Sequence, residues 1–198
     1  LQIRGLLTDA AVPPAAIRRM ALASVVPALT PVFRRFGEEG LGVPTLVIDG
    51  DTDTGVMLDV PDPGSVGPDR IVNVVAARFR HGAPAIGGAI APGIGIAAEA
   101  LFNRGARLAR VEIRAPKQAI GRTTEEHLQS GIFFGTVGQI DEIVRRMAAE
   151  MGGKPRVLAT GGLVNLVAGY SATIQTIDPD LTLQGIRLVE ERQHAPTA

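Results

Sequence analysis

"GSVGPDRIVN" occupies residues 64–73 and holds the step on which the fold reading turns. Gly67 lets the backbone take a conformation closed to other residues or approach a ligand. Pro68 presets the backbone angle of a first helical residue. Asp69 then falls where the helix dipole favours a carboxylate, with Arg70 beside it. Downstream, apolar residues at 71, 72, 74, 75 and 79 trace one face of a helix that His81-Gly82 closes. Upstream, "VPTLVID" (43–49) has the length and composition of a buried strand, and the Asp-, Gly- and Pro-rich residues between are loop. Taken alone, the acid-base pair is either a helix-start arrangement or a polar grip on a ligand.

The same strand-to-helix step recurs along the chain. "MALASVV" (20–26) reads as a strand closed by Pro27, and "PALTPVFRRF" as a helix stopping at Gly37. "APAI" (83–86) opens a further strand, and from Pro92 "GIGIAAEALFNRGARL" turns helical. The longest periodic stretch is 123–153, with apolar positions 132, 133, 137, 140, 143, 144 and 147 at helical spacing. Its glycines at 131, 135 and 138 weaken a helix but permit close approach of a second one, so this face is expected to pack against another helix, between subunits. "PRVLATGG" and "ATIQTID" read as strands, "LVNLVAGY" and "DLTLQGIRLVEER" as helices. Such alternation is α/β.

Composition removes whole classes of function. The formal charge is zero and aromatics are six Phe, one Tyr and no Trp, which argues against a nucleic-acid partner. Absence of cysteine excludes disulfides, thiolate zinc sites and cysteine nucleophiles. His81, His127 and His194 form no metal-binding spacing. No apolar run is long enough for a membrane span and no secretory signal pattern is present, so the expected location is cytoplasmic. "DGDTDTG" (49–55) lacks the closing Glu of a calcium loop and reads as a turn.

Beside the Gly67 turn, two glycine motifs offer themselves to a ligand. "GGAIAPG" (87–93) enters a helix and has the makings of an anion nest, or of a tight turn requiring small residues. "ATGG" (159–162) ends a strand where a nucleotide could pass close to Gly161 and Gly162, although no GxGxxG accompanies it. Thr123-Thr124-Glu125-Glu126 opens the long helix as a capping arrangement, or with a Thr hydroxyl turned to a polar substrate.

In their order, "SVVP", "GPDRIVN", "GGAIAPG", "TTEEHLQSGIFFG", "ATGG" and "LTLQGIRLVEER" resemble the type III pantothenate kinases from about Ala23 to Arg192. The resemblance implies two RNase H-like lobes of the acetate and sugar kinase/actin superfamily, with the N-terminal lobe incomplete. Residues 1–86 would be the remainder of that lobe, on the acceptor side. Residues 87–198 would be the C-terminal lobe with a dimer helix. It implies transfer of phosphate from ATP to pantothenate, with magnesium, a potassium or ammonium ion, and a homodimer. By position, Gly67, Pro68, Asp69 and Arg70 match the family's substrate-binding turn, Asp69 its general base and Thr124 a substrate-binding threonine, while Gly161 and Gly162 would lie beside the nucleotide. No residue of this chain matches a metal ligand. The family's "DxGNTN" phosphate loop does not precede Leu1. A strand, a "DxGT" turn and a hairpin with the cation-ligating Asp would fall between Ile86 and Gly87. The abrupt join and the non-Met start lead to the expectation that the sequence omits segments the whole protein carries. The alternative is a non-catalytic binding or regulatory relative that has lost both phosphate turns.

Overall fold

The computed structural model describes residues 2–82, 88–105 and 109–194, and the chain divides into two compact units. The first comprises residues 1–85 and 180–198, the second residues 86–179. Both are mixed α/β.

In the first unit, helix α1 (Gln2–Asp9) precedes strand β1 (Met20–Ala23), helix α2 (Thr30–Arg35) and strand β2 (Thr45–Ile48). β1 and β2 pair in parallel, with Met20 opposite Thr45 and Ala23 opposite Ile48. Parallel neighbours need a crossover, which α2 supplies. Gly37 does not end that helix as its sequence suggests. The chain continues through a wider π turn, Phe36–Leu41, and stops at Gly42, whose φ of 69° is the left-handed value a helix end favours. Gly37 serves another purpose: it is buried, and a Cβ there would overlap the Thr45 hydroxyl of β2.

Helix α3 (Pro68–His81) begins at the Gly-Pro step and ends on Gly82 in the left-handed conformation. It packs against α7 (Leu181–Gln193), which follows the second unit in sequence yet belongs to the first. Ile48, Val72, Val75 and Val189 form a core shut off from solvent, with Leu46, Ile186 and Leu188 around it. The two helices approach so closely at Gly185 that a Cβ would overlap the Val72 carbonyl oxygen. One turn from this crossing, the Thr182 hydroxyl donates to Asn73 Oδ1 at 2.7 Å. The acid-rich 49–55 segment is a turn tied to the end of α7. Arg192 Nε reaches Asp53 Oδ1 at 3.2 Å and Gln193 Nε2 donates to the Asp53 carbonyl at 2.6 Å. The Arg192 hydrogen bond, helped by the Gly55 amide, holds the Asp53 carboxyl below its ordinary pKa.

The second unit contains helices α4 (Ile94–Arg104), α5 (Thr124–Glu150) and α6 (Val164–Val167), with strands β3 (Leu158–Ala159) and β4 (Thr176–Ile177) in parallel. Its core gathers Ile94, Ala98, Ile132, Phe133, Val137 and Val167. Phe133 meets Phe134 and Tyr170 edge-on. β3 and β4 are far shorter than the runs that predict them. In "ATIQTID" the amides of Ala172, Thr173 and Ile174 are taken by the side chains of Asp141 and Ser171, so pairing starts only beyond them. The "APAI" strand and the Ile86–Gly87 join lie outside the described residues.

Replacing Gly185 with Ala is expected to destabilise the protein by about 3 kcal/mol, the upper part of the overpacking range, since the clash is with backbone. Leu183→Ala, at an exposed position of the same helix, is expected to cost less than about 0.5 kcal/mol. Urea denaturation midpoints of the two variants check this.

Candidate functional site

Two glycine-built sites emerge, one in each unit. In the first unit the site is the start of α3. Gly67 is extended (φ −57°, ψ 135°), as a residue before proline must be. Asp69 Oδ1 accepts the Arg70 amide at 2.8 Å, and Oδ2 has no partner among the described residues. The Arg70 side chain is exposed and its Nη2 donates weakly to the Ser65 carbonyl at 3.4 Å. A Cβ on Gly67 would sit 2.7 Å from Asp69 Oδ1, 3.5 Å from Val25 Cγ1 and 3.7 Å from Arg70 Nε. A methyl group, a carboxylate and a guanidinium thus converge on the one point where residue 67 has no side chain. Only glycine leaves it open. The "SVVP" turn after β1 is therefore a wall of this site, a contact that no reading of "GPDR" by itself would find. Val25 and Val26 are both exposed there.

Thr124 belongs to the second unit, as the first residue of α5. Its neighbour Thr123 does the capping. The Thr123 hydroxyl accepts the Glu126 amide at 3.2 Å, and Glu126 Oε2 accepts the amides of Thr123 at 3.2 Å and Arg122 at 2.5 Å. His127 is exposed and its Nε2 lies 3.0 Å from the Gly121 carbonyl. Ser130 donates to the Ala119 carbonyl at 2.6 Å. These bonds fix the turn before α5 and leave the exposed Thr124 hydroxyl with no partner among the described residues.

The second site is a cleft of about 600 Å³ within the second unit. On one side lie Pro92 and Gly93, ahead of α4. On another are Gly161 and Gly162, following β3, and the floor is the face of α5 that carries Thr136, Gln139 and Ile140. The end of "GGAIAPG", Ala91 to Gly93, and "ATGG" thus share one cavity. Gly161 has a φ of 108°, open in practice only to glycine. Gln139 Nε2 donates to the Pro92 carbonyl at 3.2 Å and pins the first motif to the helix. Gly93 is the N-cap of α4, whose first residue, Ile94, lines the cleft and has an amide with no helical acceptor. Among the described residues, no charged side chain lines the cavity. Among the described residues no group of three or more His, Asp or Glu is placed to hold a metal ion.

Beside the cleft is a buried acid that sequence reasoning passed over. Asp141 Oδ1 accepts the Ser171 hydroxyl at 2.6 Å, the Thr173 hydroxyl at 2.8 Å and the Thr173 amide at 3.1 Å, while Oδ2 accepts the Ala172 amide at 3.0 Å. Burial pushes the carboxyl pKa up, but these hydrogen bonds to the charged form together outweigh it, and the net shift is downward. The available signal was an acid one turn beyond Val137, on the buried stripe of an amphipathic helix.

The family model described as type III pantothenate kinase matches residues 1–86 and 83–146. The two stretches overlap at 83–86, where the sequence joins Ile86 to Gly87. Curated relatives with that name agree over most of the chain. One from Moorella thermoacetica is 45% identical, over 89% of this chain and 77% of the relative. One from Brevibacillus brevis is 42% identical, over 90% and 78%, and one from Acidobacterium capsulatum is 40% identical, over 98% and 78%.

A carboxyl with a lowered folded-state pKa stabilises above its unfolded value and loses that contribution as pH falls through the folded one. The stability gap between wild type and Asp141→Asn is therefore expected to stay constant at neutral and mildly acidic pH, and to close only below 3.8. Denaturation curves across that range measure it.

Proposed function

Because this chain belongs to the type III pantothenate kinase family, we propose that the Gly67–Arg70 turn holds pantothenate and the Gly161–Gly162 cleft holds ATP. The protein is a phosphotransferase with an alcohol acceptor: it phosphorylates pantothenate to 4'-phosphopantothenate at the expense of ATP, the first step of coenzyme A biosynthesis. ATP enters with a divalent metal, which we take to be magnesium. The acetate and sugar kinase/actin-like fold comes with the family. We read the chain as two RNase H-like lobes, the first incomplete.

In this reading Asp69 is the general base. Its free Oδ2 orients the primary hydroxyl of pantothenate and accepts the proton as the oxygen bonds to the γ-phosphorus, while the bond from phosphorus to ADP breaks. Arg70 is exposed and free to swing toward the pantothenate carboxylate. Thr124 offers a hydroxyl that has no competing partner among the described residues. At the other site, the small residues at 161 and 162 and the start of α4 at Ile94 suit a close-lying phosphate chain. Among the described residues no carboxylate lines the cleft, and the divalent metal is taken to enter on the phosphates of ATP. The potassium or ammonium ion implied by the resemblance is left to the segment the family carries between the positions of Ile86 and Gly87. The observation that carries the acceptor assignment is the convergence of Val25, Asp69 and Arg70 on the space above Gly67.

Asp69→Asn is expected to lower kcat on the order of 10²-fold, the scale of a lost general base, with little change in the KM for pantothenate. A near-wild-type rate would leave Asp69 as a helix-start acid. In the same assay Gly161→Val, strained at that φ, is expected to raise the KM for ATP and spare that for pantothenate.

We also assign the exposed face of α5 to a homodimer. Gly131, Gly135 and Gly138 lie on one side of the helix, and a Cβ on any of them would meet nothing within 4 Å. Light scattering is expected to give the mass of two chains, and Gly135→Leu that of one. A wild-type monomer at assay concentration would contradict the assignment. The reaction is placed in the cytoplasm, where its substrates are; no helix among the described residues is long and apolar enough to cross a membrane.

A further inference from the structure

Asp141 is a buried carboxylate that the proposed mechanism does not use. Its two oxygens take two hydroxyls and two amides from Ser171, Ala172 and Thr173, which is more bonding than holding down one surface turn requires. The turn it binds leads directly to the cleft. Ile174 lines the cavity, and its amide is fixed by the Ser171 hydroxyl at 3.1 Å. Gln175 follows and grips Val157 from both sides: its amide donates to the Val157 carbonyl at 3.2 Å, and its Oε1 accepts the Val157 amide at 3.4 Å. Val157 opens the run through β3 to Thr160, Gly161 and Gly162, which forms the cleft wall. From α5 itself, Ile140 and Val144 face the cavity on either side of Asp141 in sequence. A short chain of bonds therefore connects the floor of the cleft to its glycine wall, and Asp141 is where that chain is anchored.

We propose that Asp141 is a positioning residue for the nucleotide: by tying residues 171–173 to α5 it sets the spacing between the helix and the Gly161 wall, without touching ATP. This rests on reading the cleft as the nucleotide side. Its consequence is selective, because the Asp69 turn belongs to the other unit and Thr124, although on α5, lies more than four helical turns from Asp141. Asparagine at 141 keeps an acceptor for Ser171 and Thr173 but turns an amide donor against the Ala172 N–H.

Calorimetric titration of the whole chain with ADP and magnesium, and separately with pantothenate, tests the proposal. Asp141→Asn is expected to weaken nucleotide binding about tenfold. Pantothenate affinity is expected to stay within about twofold of wild type, the margin of a surface-scale effect. Ser171→Ala and Thr173→Val each remove one bond and are expected to weaken nucleotide alone by about threefold, the scale of a single net hydrogen bond. Equal weakening of both ligands, or unchanged nucleotide affinity in a folded Asp141→Asn protein, would overturn the proposal. Should that variant not fold, the two single-bond variants decide by the same comparison. Gly161→Val separates the two levels of the argument. If it leaves nucleotide affinity intact, the cleft reading fails and Asp141 with it. If it weakens nucleotide while Asp141→Asn does not, only the role of Asp141 fails.

Discussion

The contact of Gly185 with the Val72 carbonyl governs the first unit of this protein. It brings the backbones of α3 and α7 to a separation that no side chain at 185 would permit. At that distance Val72, Val75 and Val189 close a core with Ile48 of β2, and Thr182 reaches Asn73. α3 is thereby held from Ile71 and Val72 onward, while Asp69 and Arg70 just ahead of them stay outside the buried core. The Asp69 carboxylate thus has an anchored helix behind it and, in front, an oxygen with no partner among the described residues. The pair Asp69-Arg70 is cheap to keep at a helix start, where dipole and solvent both accommodate the acid. It would be costly in the core a turn later.

The second unit is organised on a different basis. α5 buries Gln129, Ser130 and Asp141 among its apolar residues, and each holds a stretch of chain without regular structure. Gln129 donates to the Glu112 carbonyl, Ser130 to that of Ala119, and Asp141 gathers residues 171–173. A purely apolar helix would bury as much surface but would leave those backbone groups unsatisfied, at about 1–3 kcal/mol for each buried one. The polar residues on the stripe are thus what ties these irregular segments to α5. Gln139, bonded to Pro92 at the cleft, extends the same device to a fourth segment.

Much of this was legible in the sequence, for identifiable reasons. Pro68 and Gly82 mark the ends of α3 because each fixes or frees one backbone angle, and the Thr123-Glu126 box marks the start of α5 through a spacing that admits no other geometry. Gly37 misled because glycine has two uses: one residue of that type ended a helix nearby, at Gly42, while Gly37 made room for Thr45. The strands at 155–162 and 172–178 were overread because side-chain acceptors can take strand amides, and nothing in "ATIQTID" tells that Asp141, thirty-one residues before Ala172, will do so. Asp141 was passed over for a related reason. An acid on an apolar stripe gains meaning only when its partners are known.

The order of short motifs carried the functional reading where no single motif did, and the geometry explains how that is possible. "SVVP" and "GPDR" are separated by forty residues or so, a spacing with no local physical content, yet Val25 lies against the open space above Gly67. The end of "GGAIAPG" and "ATGG" are farther apart still, and both line one cavity. Each motif is short because it supplies only one wall of a site: a turn that must be small, a carboxylate that must be free, or an amide that must point inward. Such a wall is common among proteins. Two walls that meet, each ambiguous alone, restrict the chemistry far more than either does, since the acid, the cation and the apolar surface must then suit one ligand together.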